Sequence, residues 1–162
     1  MMNTFLRFLQ VFALGAWVGS IIYFSAVVAQ GAFRTLPTVD DAGRWVGFTL
    51  GGLHYMGVIA AVIYLVASVA LGRSFNAMGK ALVQPAAIGV ILMLAMTLIS
   101  QRIVIPRMDV LRAQMGSVAA TAATSPLRAE FDRLHGVSVN LEGAVLLVGI
   151  ASLFLTVRSK LS

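Results

Sequence analysis

Charge and cysteine are what this sequence has least of. Only 11% of its 162 residues are charged, and 59% are hydrophobic, whereas a soluble globular domain carries about 25% charged residues. A water-soluble fold is therefore excluded, and lipid is the expected solvent for most of the chain. The absence of cysteine excludes a disulfide framework, a cysteine-ligated iron–sulfur cluster and any thiolate metal site.

Acidic residues are also scarce, with 6 Asp and Glu against 12 Lys and Arg. Such an excess alone would suggest a nucleic-acid-binding protein, but in an apolar chain it more often flanks membrane spans. The lipid bilayer is therefore the expected partner, and no nucleic-acid partner is expected. The sequence contains no nucleotide-binding loop, nucleophile–base pair or HExxH zinc helix, so soluble enzyme chemistry is unsupported.

Four long stretches with few or no charged residues remain when the chain is divided at its charges. A membrane-spanning helix needs about 20 apolar residues, and these stretches predict spans at about 5–30, 45–71, 81–103 and 135–157. We therefore expect an all-α membrane protein: a four-transmembrane-helix bundle forming one integral membrane domain over residues 1–162.

The connectors between the spans differ in composition. The second, over 72–79, is expected to be a tight hairpin. The third is expected to be ordered and partly helical, because its Arg side chains mix with Met, Val and Leu as in an amphipathic helix on the membrane surface. Pro106 is expected to distort or end the third helix, and Ser125 followed by Pro126 favours the start of the last one.

Two ionisable residues, His54 and Glu142, lie inside the predicted spans. Each costs a few kcal/mol in hydrocarbon unless it is paired or hydrated. Both lie about 6 Å from the centre of their span, toward the first and third connectors, at the helical rise per residue. Glu142 is expected within reach of His54, or of Tyr23 or Ser25 on the first helix. Two interpretations stay open: a pair that only locks the bundle, or a site for a ligand, proton or metal.

His135 and Ser138 lie on the same face of the fourth helix as Glu142, because the three residues follow the spacing i, i+3, i+7. The stripe is expected to face the bundle. Arg34, at the end of the first span, is expected to turn toward this cluster or to reach lipid headgroups. Interhelical hydrogen bonding would produce a similar stripe, so the pattern alone does not identify a ligand.

Small residues form a second pattern, in which glycines are spaced by four: Gly15 and Gly19 in the first span, and Gly43, Gly47 and Gly51 in the second. Such spacing lets helices approach closely. Helix packing within the monomer and contact with a second copy in a homo-oligomer are the two interpretations.

Several short motifs resemble those of a known family: Trp17-Val18-Gly19, Ala32-Phe33-Arg34-Thr35-Leu36-Pro37, Ala42-Gly43, Pro106-Arg107 and Phe131-x-x-Leu134-His135-Gly136-Val137-Ser138. Over nearly its whole length the chain is similar to the transmembrane protein 205-like family, also called domain of unknown function 4149. One position departs from the family pattern: Asn is usual seven residues after the histidine, and here that residue is Glu142.

The resemblance implies a four-span bundle in the inner membrane of a bacterial cell, with no established activity. The density of basic residues in the two tails and the second connector predicts that both termini are cytoplasmic. The family's layout is also similar to the copper resistance protein D group and to a four-span haem-pathway oxidase, which keeps copper and haem b open as cofactors.

The leading hypothesis is a binding or accessory subunit, in a homo-oligomer or a larger membrane complex, and not an enzyme. Its candidate site is a polar cluster of His54, Glu142, His135, Ser138 and Arg34. One alternative is a haem- or copper-handling redox protein that uses His54 and His135. The other is a small transporter that works as an oligomer.

Overall fold

The structure, a computed structural model, describes residues 1–74 and 78–158, without the side chains of residues 78 and 79. Its α-helices are Met2–Tyr23, Ala29–Thr35, Val39–Ser74, Met78–Ala81, Pro85–Ile99, Ile105–Met115 and Pro126–Arg158. Two π-helical segments, Phe24–Val28 and Ser100–Val104, join neighbouring helices without a break. No strand occurs in the described part of the chain.

Four continuous helices result, which we call span 1 (Met2–Thr35), span 2 (Val39–Ser74), span 3 (Pro85–Met115) and span 4 (Pro126–Arg158). Each is long and apolar enough to cross a membrane, so the predicted all-α, four-span fold class is confirmed. Span 3 begins at Pro85 and not at 81 as predicted. At the other ends the helices exceed the predicted spans, because the apolar pattern marks only the part in hydrocarbon and polar turns extend the helices beyond it. The predicted hairpin over 72–79 lies partly outside the described residues.

The four spans pack as a ring in chain order. Span 1 contacts spans 2 and 4, and span 3 also contacts spans 2 and 4, which is the arrangement of an up-and-down bundle. Trp17 lies at the centre with 1% of its surface exposed. Apolar side chains from all four spans surround it: Leu14, Ile21, Ala61, Val90, Met93 and Val145.

The outside of the bundle is apolar and its inside carries polar groups. Phe8, Phe48 and Phe154 are 57%, 74% and 63% exposed. Small hydroxyls are buried instead: Ser68, Thr97, Ser100, Ser138, Ser152 and Thr156. So much exposed apolar surface would drive association in water, whereas hydrocarbon solvates it. The fold is that of a multi-pass membrane protein.

The prediction that the third connector is ordered and partly helical is confirmed. Its helical part, Ile105–Met115, continues span 3 and does not form a separate helix. Its apolar face is covered, because Met108 and Leu111 pack against Phe131 and Leu134 of span 4. Arg107 Nε also donates a hydrogen bond to Glu130 Oε1 at 2.8 Å. Packing on span 4 therefore satisfies the amphipathic pattern that indicated a membrane surface.

Pro106 distorts span 3 without ending it. A proline ring in a helix clashes with the carbonyl four residues earlier, here that of Arg102. This carbonyl lies in the π-helical segment Ser100–Val104, whose wider turn relieves the clash. Span 4 begins at Pro126 as predicted.

The five glycines spaced by four do not mark close helix approaches within the monomer, as one interpretation had it. A methyl group added at Gly15, Gly19, Gly47 or Gly51 would meet no atom within 4 Å, and one at Gly43 only Arg112 at 3.9 Å. The close approaches are elsewhere: at Gly57 against Trp17, at Gly89 against Ser152, and at Gly149 against Val18 and Met93. A contact of the five with a second copy stays a prediction.

We expect Gly57→Ala to destabilise the bundle, because its methyl group would lie 2.5 Å from the buried Trp17 indole. Overpacking of this kind costs about 1–3 kcal/mol, which lowers the midpoint of thermal unfolding by about 2–4 °C per kcal/mol in a chain of this size.

The matched control is Gly51→Ala, which has open space around its new methyl group and gains helix propensity. Its unfolding midpoint in detergent should be unchanged or higher. Equal midpoints for the two variants would contradict the packing described.

Candidate functional site

A buried histidine joins three of the four spans. His54 of span 2 is 2% exposed, and its Nδ1 lies 2.8 Å from Gln101 Oε1 in span 3. Its Nε2 lies 3.2 Å from Glu142 Oε2 in span 4. The expected contact between Glu142 and His54 is therefore present, and their predicted matching depth is confirmed by this distance.

The hydrogen bonds fix how many protons the pair holds. An amide oxygen only accepts, so His54 Nδ1–H donates to Gln101. The facing Nε2 and Glu142 Oε2 would repel each other if both were bare acceptors, so one proton lies between them. Whether it sits on the imidazole or on the carboxyl, the pair has no net charge, which is what a weakly polar interior favours.

The π-helical segment Ser100–Val104 supplies the third member of this network. Such segments occur frequently at functional sites in helices, and here Gln101 is the second residue of one. Ser100 Oγ, beside it, is buried without a hydrogen-bond partner in the described part of the chain. Gln101 is a site residue that the sequence did not indicate, and the nearby Pro106 was the available signal of an irregular turn.

A cavity of about 590 Å³ opens beside this pair, toward the first and third connectors. Its lining along span 4 runs from Arg128 to Leu146, about 27 Å at 1.5 Å per residue, so it is long and narrow. Most of its wall is apolar: Ile21, Phe24, Phe33, Val46, Leu50, Met108, Phe131 and Leu146. Gly43 and Gly47 also line it, so these small residues leave room for the cavity.

Three members of the predicted cluster line this cavity: His135, Ser138 and Glu142. Ser138 is 6% exposed, and its hydroxyl has no hydrogen-bond partner among the described residues. A hydroxyl that lines a cavity and has no partner is available to a bound molecule. His135 is exposed, and its ring stacks on Phe131 with centroids 6.5 Å apart.

The mouth of the cavity is held by the third connector. Asp40, at the start of span 2, accepts hydrogen bonds from Ser117 Oγ at 2.5 Å and from the backbone N–H of Val118 at 2.9 Å. Arg128 binds the carboxylate of Asp132 at 3.0 Å and the carbonyl of Val118. These bonds fasten the loop after span 3 to the ends of spans 2 and 4.

One side of the cavity faces the outside of the bundle. Span 1 packs on span 4 through Met2–Tyr23, whereas Ala29–Thr35 packs on span 2. In the gap, Phe33 and Val139 line the cavity and are 52% and 57% exposed. The cavity therefore opens laterally, toward lipid, between spans 1 and 4.

Arg34 does not join the cluster that was expected to include it. Its side chain is exposed, and it makes no hydrogen bond or ion pair with the described residues. A guanidinium at the end of an apolar span reaches outward to the interface. This is the second orientation considered for Arg34, toward the lipid headgroups.

The arrangement does not favour His54 and His135 as ligands of a haem or a copper ion. Both ring nitrogens of His54 already have partners, and His135 lies about 10 Å along span 4 from Glu142 at the helical rise. Within residues 1–74 and 78–158, no three His, Asp or Glu side chains form a metal-binding group.

A second polar network, which the sequence did not indicate, ties spans 1, 2 and 4 together deeper in the bundle. Gln10 Nε2 donates to Ser68 Oγ at 2.8 Å, and Ser68 Oγ donates to the carbonyl of Tyr64 at 2.8 Å. Tyr64 Oη lies 2.8 Å from Thr156 Oγ1, which donates to the carbonyl of Ser152. Each of these groups has a partner, so the network is a structural link.

Comparison with known proteins gives a family and no activity. The sequence model of a family described as a domain of unknown function, DUF4149, matches residues 12–117. No curated protein matches the chain. No solved structure matches it either.

We expect Gln101→Leu to destabilise the protein, because it leaves the buried Nδ1–H of His54 without an acceptor. Such a loss costs about 1–3 kcal/mol. Gln114→Leu is the matched control, since Gln114 is exposed in the same span and should tolerate the change within about 0.5 kcal/mol. Thermal unfolding in detergent measures both, and an equally stable Gln101→Leu variant would show that this hydrogen bond contributes nothing.

Proposed function

Because the chain belongs to the domain of unknown function 4149 family, whose description assigns no activity, we propose a function from the site alone. The protein is a membrane binding protein whose cavity takes a small, largely apolar molecule from the lipid phase. The observation that carries this proposal is the 590 Å³ cavity with apolar walls, which ends on Glu142 and the unpartnered hydroxyl of Ser138.

The chemistry of the lining supports a ligand with one polar end. Ligand pockets are mostly apolar, with a few polar groups that fix the orientation, and here the polar groups gather on span 4. A wider hollow of about 850 Å³ between spans 2 and 3 includes Gln101 but neither His54 nor Glu142. Its charged side chains, Arg44, Asp109 and Arg112, are already held in ion pairs with Asp41 and with each other.

We place this protein in a bacterial inner membrane with both termini cytoplasmic, so that the cavity mouth opens on the non-cytoplasmic side. The support is the density of basic residues in the tails and the second connector. The residues that line this cavity all lie in the half of the bundle near the first and third connectors, which favours a binding or accessory role. A transporting role would require a second copy or a partner protein.

The test uses N-phenyl-1-naphthylamine, a neutral apolar probe, and the thermal unfolding of the purified chain in detergent. A ligand that binds only the folded state stabilises it by about 2.7 kcal/mol at a hundred times its dissociation constant. We therefore expect the probe to raise the unfolding midpoint by several degrees and to saturate.

Gly47→Leu should fill part of the cavity, because Gly47 lines it and a Cβ added there meets no atom within 4 Å. This variant should unfold normally but lose the rise. Gly15→Leu has equal room and is remote from the cavity lining, so it should keep the rise. A rise of the same size in the unmodified chain and in Gly47→Leu would overturn the proposal.

A further inference from the structure

Acidic residues outnumber basic ones in the lining of the cavity, whereas basic residues predominate in the chain as a whole. The chain has 12 basic and 6 acidic residues, yet four acidic residues line this cavity and only two basic ones, Arg112 and Arg128. The four acids are Asp40, Asp109, Asp132 and Glu142. Two-thirds of the acidic residues of a basic protein therefore surround one cavity.

Ion pairs cancel only part of this negative charge. Arg112 Nη1 lies 2.9 Å from Asp109, and Arg128 Nε lies 3.0 Å from Asp132. Asp40 receives its hydrogen bonds from a hydroxyl and backbone amides, which are neutral donors. After the two pairs are set aside, two carboxyl groups in this lining have no arginine bonded to them: Asp40 at the mouth, which Arg44 influences through space, and Glu142 deep in the cavity.

From this geometry, and resting on the proposed function, we infer that the ligand is a lipophilic organic cation that binds at Glu142 in exchange for a proton. Phe24 and Phe33 line the approach, and aromatic faces attract desolvated organic cations. Phe131 is also in the lining, but the Arg112 guanidinium already lies over its ring at 5.3 Å. The unpartnered hydroxyl of Ser138 offers a further acceptor beside the carboxylate.

The exchange follows from the charge balance of the His54–Glu142 pair. The free pair holds one proton and has no net charge. When a monovalent cation enters, that proton leaves to water through the mouth, and the Glu142 carboxylate turns away from His54 Nε2 toward the ligand. His54 keeps its Nδ1–H on Gln101 and stays neutral. The site is neutral before and after binding, so no uncompensated charge is left in hydrocarbon.

Other titratable groups line the cavity beside the His54–Glu142 pair. An experiment must distinguish their protons from the proton of the pair. Span 2 contributes Asp40 at the mouth, and span 3 contributes Asp109 and Arg112. Span 4 contributes Arg128, Asp132 and His135, and span 1 contributes none to the lining. His135 is the imidazole in this lining, so its variant is a necessary control.

Equilibrium dialysis of radiolabelled tetraphenylphosphonium against the purified full chain in detergent tests this inference. Tetraphenylborate, which has the same shape and the opposite charge, is the control ligand, and empty micelles are the blank. We expect saturable binding of the cation and none of the anion. The dissociation constant should rise about tenfold for each unit that the pH falls, since one proton competes with one cation. A pH indicator in weak buffer should record one proton released per cation bound.

Three variants assign the effect to Glu142. Glu142→Gln keeps a hydrogen bond, because its amide can donate to His54 Nε2, but it should lose saturable cation binding and proton release. Glu130→Gln makes the same change at an acid that is paired with Arg107 and does not line the cavity, and it should bind as before. His135→Gln should still release one proton, and loss of the release there would overturn the assignment to Glu142.

Each result separates this inference from the proposed function. If the neutral naphthylamine binds but tetraphenylphosphonium does not, or if the borate binds as well as the phosphonium, the cation assignment is wrong and the cavity proposal stands. If neither probe binds, both are wrong. If Glu142→Gln fails to fold, the proton count and the comparison of the two ions on the unmodified chain still decide.

Discussion

A buried imidazole that uses both of its ring nitrogens is the constraint on which the polar half of this bundle depends. His54 lies in hydrocarbon, where an unsatisfied polar group costs several kcal/mol, so Gln101 and Glu142 must meet it from two other helices. Their contact fixes the relative depth and rotation of spans 2, 3 and 4. The cavity lies next to the pair because span 1 diverges from span 4 beyond Tyr23.

The fold and the centre of the site could be predicted from the sequence for the same physical reason. Charges are excluded from hydrocarbon, so the intervals between them located all four spans. His54 and Glu142 are ionisable residues inside the spans, where an unpaired group is costly, and they lie equally far from the centres of their spans. Their pairing could therefore be predicted, and the structure contains it. Glu142 is the residue that gives the cavity its deep carboxyl group.

The other features of the site could not be predicted, because they depend on how each helix is rotated about its axis. The spacing of residues along the sequence does not determine that rotation. Glycines spaced by four share a face, but the sequence does not say whether that face meets another helix, a cavity or lipid; Gly47 turned out to line a cavity. Gln101 was missed because it is uncharged and close to the end of its predicted span. The π-helical turn that orients it has no sequence signature beyond a nearby proline. The sequence left two orientations of Arg34 open, toward the polar cluster or toward the lipid headgroups, because their energies are similar. In the structure its side chain is exposed.

Because of the lateral gap between spans 1 and 4, the binding affinity of a ligand is set relative to lipid and not relative to water. A molecule that enters through Phe33 and Val139 comes from the bilayer, so occupancy follows its mole fraction among lipids and not its concentration in water. Lipid acyl chains are present at that opening in large excess and compete with the ligand for the cavity. Binding is therefore a solvent exchange between two apolar phases, in which the hydrophobic effect cancels to a first approximation and the polar end of the ligand decides selectivity.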